Sequence, residues 1–225
     1  NYHNSARYFM DMTAMYPEYM SDPNVVLCPS GSNMDMWPAT EAGVIEDDGS
    51  GTCQWVGFPS QADRSYNYFG YAFDRVDEND LTSPHPFDAS INVPAQLTAA
   101  FPLIADVLLL NPIADLNYKL DEDLSVGAPN GNGGGETVYR LREGIERFLI
   151  TDINNPAAGA VAQSELAVAW DIISSNFANY TTFNHIPGGS NVLYMDGHVS
   201  FLRYPNEKFP VTPGYANFWG YMPAQ

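Results

Sequence analysis

The sequence predicts an α+β domain, helices packed on an antiparallel sheet, and three observations carry that prediction. Residues 191–195 and 198–204 are two short runs of aromatic, β-branched and aliphatic residues joined by Asp196-Gly197, the dipeptide that a two-residue type I′ hairpin demands. Residues 136–150 repeat Val138, Leu141, Ile145, Phe148 and Leu149 with a helical period, while Arg140, Arg142, Glu143, Glu146 and Arg147 cover the other face. Residues 65–74 place Tyr66, Tyr68, Tyr71 and Phe73 in a strand-like run.

A chain of 225 residues that is 45% hydrophobic and 13% aromatic has enough apolar surface to bury a core as one domain spanning residues 1–225. Its 27 acidic side chains against nine basic ones give a net charge of −18, which repels nucleic-acid phosphates and anionic lipid surfaces. Nucleic acid is therefore excluded as a partner. The acidic excess favours solubility and divalent cations instead.

Cys28 and Cys53 are the two cysteines, and neither sits in a Cys-x-x-Cys pair. The expected state is a disulfide that staples the acidic, Gly-rich loop of residues 31–54 in an oxidising compartment, with a contribution of about 3 kcal/mol in the chain-entropy account. Two buried thiols are the alternative.

Along the chain, Tyr8, Met12, Met15 and Tyr19 recur at spacings of three and four, so residues 1–20 read as a helix with Pro17 weakening its last turn. Residues 74–86 are charged and turn-rich. Residues 93–116 read as a helix or helical pair, with Pro94 in its first turn and Pro112 ending or kinking it. It either packs on the sheet of its own subunit or supplies contact to a neighbouring one. Asp121-Glu122-Asp123 and the run at residues 131–135 mark a flexible surface excursion. Residues 163–171 read as a further strand. The longest apolar stretch, residues 97–114, is interrupted by Pro102, Asp106 and Pro112 and falls short of a membrane span.

The side chains that could carry chemistry are Asp152, Asp171, His185, Asp196 and His198, which the strand reading draws toward the ends of neighbouring strands. Carboxylates and imidazoles of this kind bind metals or move protons. Each also has a structural use: Asp196 suits a hairpin turn, Asp152 and Asp171 can cap chain ends, and the two histidines can hydrogen-bond to the hairpin. No zinc-protease helix motif, nucleophile elbow or phosphate loop is present, and no catalytic residue is assigned. Asn179-Tyr180-Thr181 matches a glycosylation sequon.

His185, the spacer containing Gly188 and Gly189, and the hairpin with Asp196, Gly197 and His198 resemble the C-terminal signature of bacterial pseudopilin-like proteins with the H-X9-DG motif. Here ten residues, not nine, separate His185 from Asp196. The Tyr-Pro-Glu-Tyr run at residues 16–19, Asp22-Pro23, Cys28-Pro29-Ser30, Trp170-Asp171 and the Arg-rich run at residues 140–156 are similar to the same group. The resemblance implies a pilin-like α+β domain in which residues 1–20 are the end of a stem helix, residues 75–135 a subfamily insertion, and residues 136–204 the helix and sheet carrying the signature. It further implies an apolar N-terminal membrane-anchoring helix that the 225 residues do not contain. The function that follows is a structural subunit of a pilus-like or pseudopilus filament, related to type IV pili and type II secretion. Its partner would be itself, its place the periplasm, cell surface or exterior of a bacterium. Major pseudopilins hold calcium in a C-terminal loop, and Asp152, Asp171 and Asp196 are the nominees for Ca²⁺ here, with Asp47-Asp48 and Asp121-Glu122-Asp123 as competitors. Two other functions remain open: a calcium- or glycan-dependent binding module using Trp37, Trp55, Tyr215, Phe218 and Trp219, and a secreted metal-dependent hydrolase using the His/Asp group.

Overall fold

The structure is a computed structural model describing residues 15, 18–26, 28–30, 45–47, 53–55, 65–110, 121–145, 149, 163–173, 183–185 and 188–221. In chain order its strands are β1 (Ile45–Asp47), β2 (Cys53–Trp55), β3 (Tyr66–Asn67), β4 (Thr82–Pro84), β5 (Asn92–Pro94), β6 (Leu124–Ser125), β7 (Thr137–Val138), β8 (Ala167–Asp171), β9 (Gly189–Tyr194) and β10 (Val199–Arg203). The α-helices are α1 (Ala95–Leu110) and α2 (Pro213–Gly220). The mixture of helices and antiparallel sheets makes the described chain α+β.

The main sheet has the order β10-β9-β8-β3, every pair antiparallel, and β1-β2, β4-β5 and β6-β7 form separate two-stranded ribbons. Alternation along β9 and β10 separates two faces. Val192 and Tyr194 are buried inward, whereas Asn191, Leu193, Val199, Phe201 and Arg203 point outward. Trp170 pairs with Val192 and Asn67, so the inner face continues across β8 and β3. The aromatic core sits on it: Trp170 meets Phe209, Tyr215 and Phe69 at ring separations of 4.8, 5.7 and 5.4 Å.

The terminal hairpin forms where the sequence places it, but its turn differs. Gly197 N donates to Tyr194 O and Tyr194 N to His198 O, while Gly197 has φ +88°. The connection is thus a three-residue loop, Met195-Asp196-Gly197, in which only the glycine is required in the left-handed region. A type I′ turn would need Asp196 there too, and the three-residue loop spares it that strain.

Helix α1 replaces the expected 93–116 element: Asn92–Pro94 are strand, and residues 111–120 lie outside those described. Leu97, Ala100, Phe101 and Ile104 are buried against Phe69, Phe73 and Phe218, so α1 serves the core of its own chain. Residues 75–135 therefore contribute to the same core as the hairpin. The strand expected over residues 65–74 is short because Gly70, at φ +73°, turns the chain before Tyr71 bridges Arg140. The strand expected over residues 163–171 begins only at Ala167, after a helical turn at residues 163–165.

Over residues 136–145, the described part of the helix expected at residues 136–150, no α-helix is formed. Thr137–Val138 pair with Leu124–Ser125, Arg140 bridges Tyr71, and Gly144 at φ +79° ends any helical path. Val138 and Ile145 are both fully buried, yet in two separate clusters. Arg140 and Arg142 reach Asp121 and Asp123 across the chain instead of along a helix.

The glycine run at residues 131–135, expected to be flexible, is tied down. Buried Asn132 donates to Ala72 O and Asp74 Oδ1, both at 2.7 Å, and accepts from Tyr139 N at 2.8 Å. Buried Gln96 donates to the same Asp74 oxygen and accepts from the backbone of Asp74 and Arg75. Helix α2 was not foreseen. Thr212 Oγ1 caps it by accepting from Tyr215 N at 3.0 Å, with Pro213 in its first turn. Of the expected stem helix, residues 15 and 18–20 fall in the described residues, with Tyr19 N and Met20 N donating to Met15 O. No helix among the described residues is long and apolar enough to cross a membrane.

Candidate metal centre

The outward face of the main sheet carries a polar row on the side opposite the aromatic core. Register puts Tyr66 beside Asp171 and Asn191 beside Phe201, and Asn191 N donates to Asp171 Oδ2 at 2.7 Å, so Tyr66, Asp171, Asn191 and Phe201 follow one another across β3, β8, β9 and β10. An acid in a central strand is costly to bury unless its oxygens are satisfied. Asp171 is 1% exposed, and its Oδ2 accepts from both the backbone and the side-chain nitrogen of Asn191.

Two further side chains close over this carboxylate. His185, in the segment leading to β9, places Nε2 2.9 Å from Asp171 Oδ2, and its ring meets Phe201 edge-on at 5.8 Å. Gly188 and Gly189, both in the left-handed half of backbone space, steer the chain from His185 into the strand; a Cβ on Gly189 would lie 2.6 Å from Leu202 O. Cys28 follows the 3₁₀ turn Pro23–Val26 and is anchored by its N–H donating to Ser65 Oγ at 2.9 Å. Its sulfur is buried 3.7 Å from His185 Nε2. One ligand atom each from Cys28, Asp171 and His185 falls within 4.8 Å of the other two.

The electrostatics of the row follow from burial. Burial pushes the Tyr66 phenol up to about 12, with negative charge on Cys28 and Asp171 adding to the effect. Asp171 Oδ1 is buried without a hydrogen-bond partner among the described residues.

This geometry corrects several expectations. Cys28 carries its sulfur as a thiol facing His185 rather than in the expected bridge to Cys53, whose side chain lies outside the described residues. Of the three carboxylates nominated for calcium, Asp171 and Asp196 are not brought together. Asp171 lies level with Asn191 while Asp196 sits at the hairpin tip, five residues further, roughly 16 Å along the strand. Asp152 lies outside the described residues, as does Asn179. Asp196 is engaged by its own turn: His198 N donates to Oδ1 at 3.1 Å and His198 Nδ1 lies 2.5 Å away. The backbone N–H of His198, then its ring, hold the Asp196 carboxyl below its ordinary range. His198 stacks on Tyr194 at 4.4 Å, which gives it a structural place at the tip.

The aromatic ligand platform also fails in part, because Tyr215, Phe218 and Trp219 are core residues of α2; Trp37 and the side chain of Trp55 lie outside the described residues. A thiol, an imidazole and a carboxylate suggest a nucleophilic triad, but that device needs acid and nucleophile on different ring nitrogens. Here both approach Nε2. The arrangement suits a cation better than proton relay. Sequence reasoning found Asp171 and His185 but not Cys28 or Asn191 as their neighbours. No protein-family model, curated protein or solved structure matches the chain.

Proposed function

We propose that the chain is the globular part of a pilin-like subunit, exported to the periplasm or cell surface of a bacterium, that builds a filament by repeated docking of identical copies. The sequence signature from His185 to His198 motivates this reading, and one structural observation supports it. Strand β10 is the edge of the main sheet among the described strands, and its outward face exposes Val199 (61%) and Phe201 (54%) beside the outward Leu193. Burying one such side chain fully stabilises a contact by about 1.5–3 kcal/mol. Edge strands with an apolar outward face invite pairing unless something covers them. Arg203, one of nine basic residues in a chain of net charge −18, lies on the same face and complements the acidic surface of a second copy.

Identical units that dock by two different surfaces form an open polymer, and that role requires no catalytic residue. A photoreactive phenylalanine analogue at position 201 of the natively isolated protein tests the reading. The expected product is a ladder of dimers, trimers and longer species, lost when Val199→Asp places a charge in the contact. Cross-linking that stops at one dimer, or yields only monomer, would overturn it.

A further inference from the structure

We propose that Cys28, Asp171 and His185 form a binding site for a zinc-class divalent metal, which fastens the segment after the first 3₁₀ turn to the sheet and to the chain entering the terminal hairpin. The proposal is independent of the filament reading.

The first argument is distance. Zinc held at about 2.3 Å from sulfur and about 2.0–2.1 Å from nitrogen and oxygen in a tetrahedron sets its sulfur and nitrogen ligands about 3.6 Å apart, and its nitrogen and oxygen ligands about 3.3 Å apart. Cys28 Sγ and His185 Nε2 are 3.7 Å apart, and His185 Nε2 and Asp171 Oδ2 are 2.9 Å apart. The sulfur–nitrogen edge fits as it stands, and the nitrogen–oxygen edge needs to open by a few tenths of an ångström.

The second argument is hydrogen-bond bookkeeping. His185 Nε2 has the carboxylate Asp171 Oδ2 at 2.9 Å and the amide Asn191 Nδ2 at 3.0 Å. An imidazole nitrogen either donates one proton or offers one lone pair, so it cannot satisfy an acceptor and a donor together. As a metal ligand Nε2 directs its lone pair to the ion, and Asn191 Nδ2 keeps its bond to Asp171 Oδ2, 3.0 Å away.

The third argument is the lopsided carboxylate. Oδ2 of Asp171 receives the Asn191 nitrogens, whereas Oδ1 is buried with no hydrogen-bond partner among the described residues. A buried anionic oxygen left in that state is costly, and a cation removes the cost. Orientation is already supplied: Asn191 holds the carboxylate, Ser65 Oγ holds the Cys28 backbone, and Phe201 packs on the His185 ring.

The donor set decides the metal class. Thiolate with imidazole and one carboxylate suits zinc or cobalt and does not suit calcium, which takes six to eight oxygens. Binding converts the Cys28 thiol to thiolate with release of one proton, and no electron moves. Asp171 Oδ1, turned to the ion beside Oδ2, completes four-coordination and so gains the partner it lacks. Because the thiolate is the ligand, metal binding and a Cys28–Cys53 disulfide exclude each other.

The test uses the full chain, reduced and stripped of metal, then titrated with Zn²⁺ followed by mass-spectrometric metal analysis, and in parallel with Co²⁺ followed by absorption. One zinc per chain and a thiolate-to-cobalt charge-transfer band are expected, together with a rise in thermal midpoint on adding zinc. Cys28→Ser and His185→Gln should each weaken binding by at least the roughly tenfold to hundredfold that loss of a mere supporting group costs, and should abolish the zinc-dependent rise in midpoint. Cys53→Ser should leave both unchanged. If Asp171→Asn fails to fold, the Cys28 and His185 variants carry the result. Substoichiometric zinc, a cobalt spectrum without the thiolate band, or binding that survives Cys28→Ser would overturn the assignment.

Discussion

The indole N–H of Trp170 donates to the phenolic oxygen of Tyr215 at 2.9 Å, joining strand β8 to helix α2 at the centre of the core. The same oxygen accepts from Asn67 Nδ2 at 3.0 Å, so one fully buried hydroxyl satisfies donors from two strands. Tyr215→Phe keeps the ring and removes the acceptor, leaving two buried donors without a partner. Such groups cost about 1–3 kcal/mol. At roughly 2–4 °C per kcal/mol for a chain of this size, the variant should melt several degrees below the wild type. Calorimetry or circular dichroism reads it, and a change below about 1 °C would show that the pair contributes nothing net.

Gly189 provides a second test, since its conformation and its surroundings both exclude a side chain. A Cβ would stand 2.5 Å from Phe201 Cζ and 2.6 Å from Leu202 O, and the second contact is backbone within the paired hairpin. Gly127 offers the control, with φ +74° and nothing within 4 Å of an added Cβ. Gly127→Ala carries conformational strain alone, roughly 1–2 kcal/mol. Gly189→Ala adds overpacking of about 1–3 kcal/mol. Urea midpoints should fall further for Gly189→Ala, and equal losses would mean that the hairpin relaxes around the methyl group.

The hairpin was legible because its determinants are local: alternating apolar runs and a glycine that must turn. The centre was legible only in part. Cys28 and His185 stand 157 residues apart, and nothing in the Cys-Pro-Ser run announces that its thiol faces a histidine on the far side of the chain. The misread helix at residues 136–150 has an instructive cause. Val138 and Ile145 are genuinely buried, but Val138 serves the main core and Ile145 a second cluster, so a helical period arose from two separate packings. Gly144 was the local sign against it, and Thr212-Pro213 was an unused local sign for α2.

That misreading makes the two arginines unequal. On a solvated helix face Arg140 and Arg142 would be interchangeable. In the structure Arg140 Nη1 donates to Gly70 O at 2.8 Å and its guanidinium lies 5.1 Å from the centre of the Tyr71 ring, whereas Arg142 makes a half-exposed pair with Asp123. Arg140→Ala should destabilise by about 1–2 kcal/mol through the lost carbonyl and aromatic contacts. Arg142→Ala should stay within about 0.5–1 kcal/mol and lose even that in high salt. Denaturant midpoints at low and high ionic strength separate the two, and equal small losses would favour the helix over the bridge.

Alkaline pH addresses the same region from the side of Tyr71. Burial pushes its phenol up to about 12 although Arg140 beside it pulls the other way, and burial raises Tyr215 as well against the hydrogen bonds it receives. An unfolded tyrosine loses its proton near pH 10, so between about pH 10 and 12 the folded chain holds more protons than the unfolded one. Stability therefore falls as pH rises through that window, while below it these groups add no pH dependence. Urea midpoints at a series of alkaline pH values should decline from about pH 10 onward. Tyr71→Phe removes one of the responsible groups and should shallow the decline. A midpoint that stays flat to about pH 12 in the wild type would show that these phenols ionise as readily in the folded chain as in water.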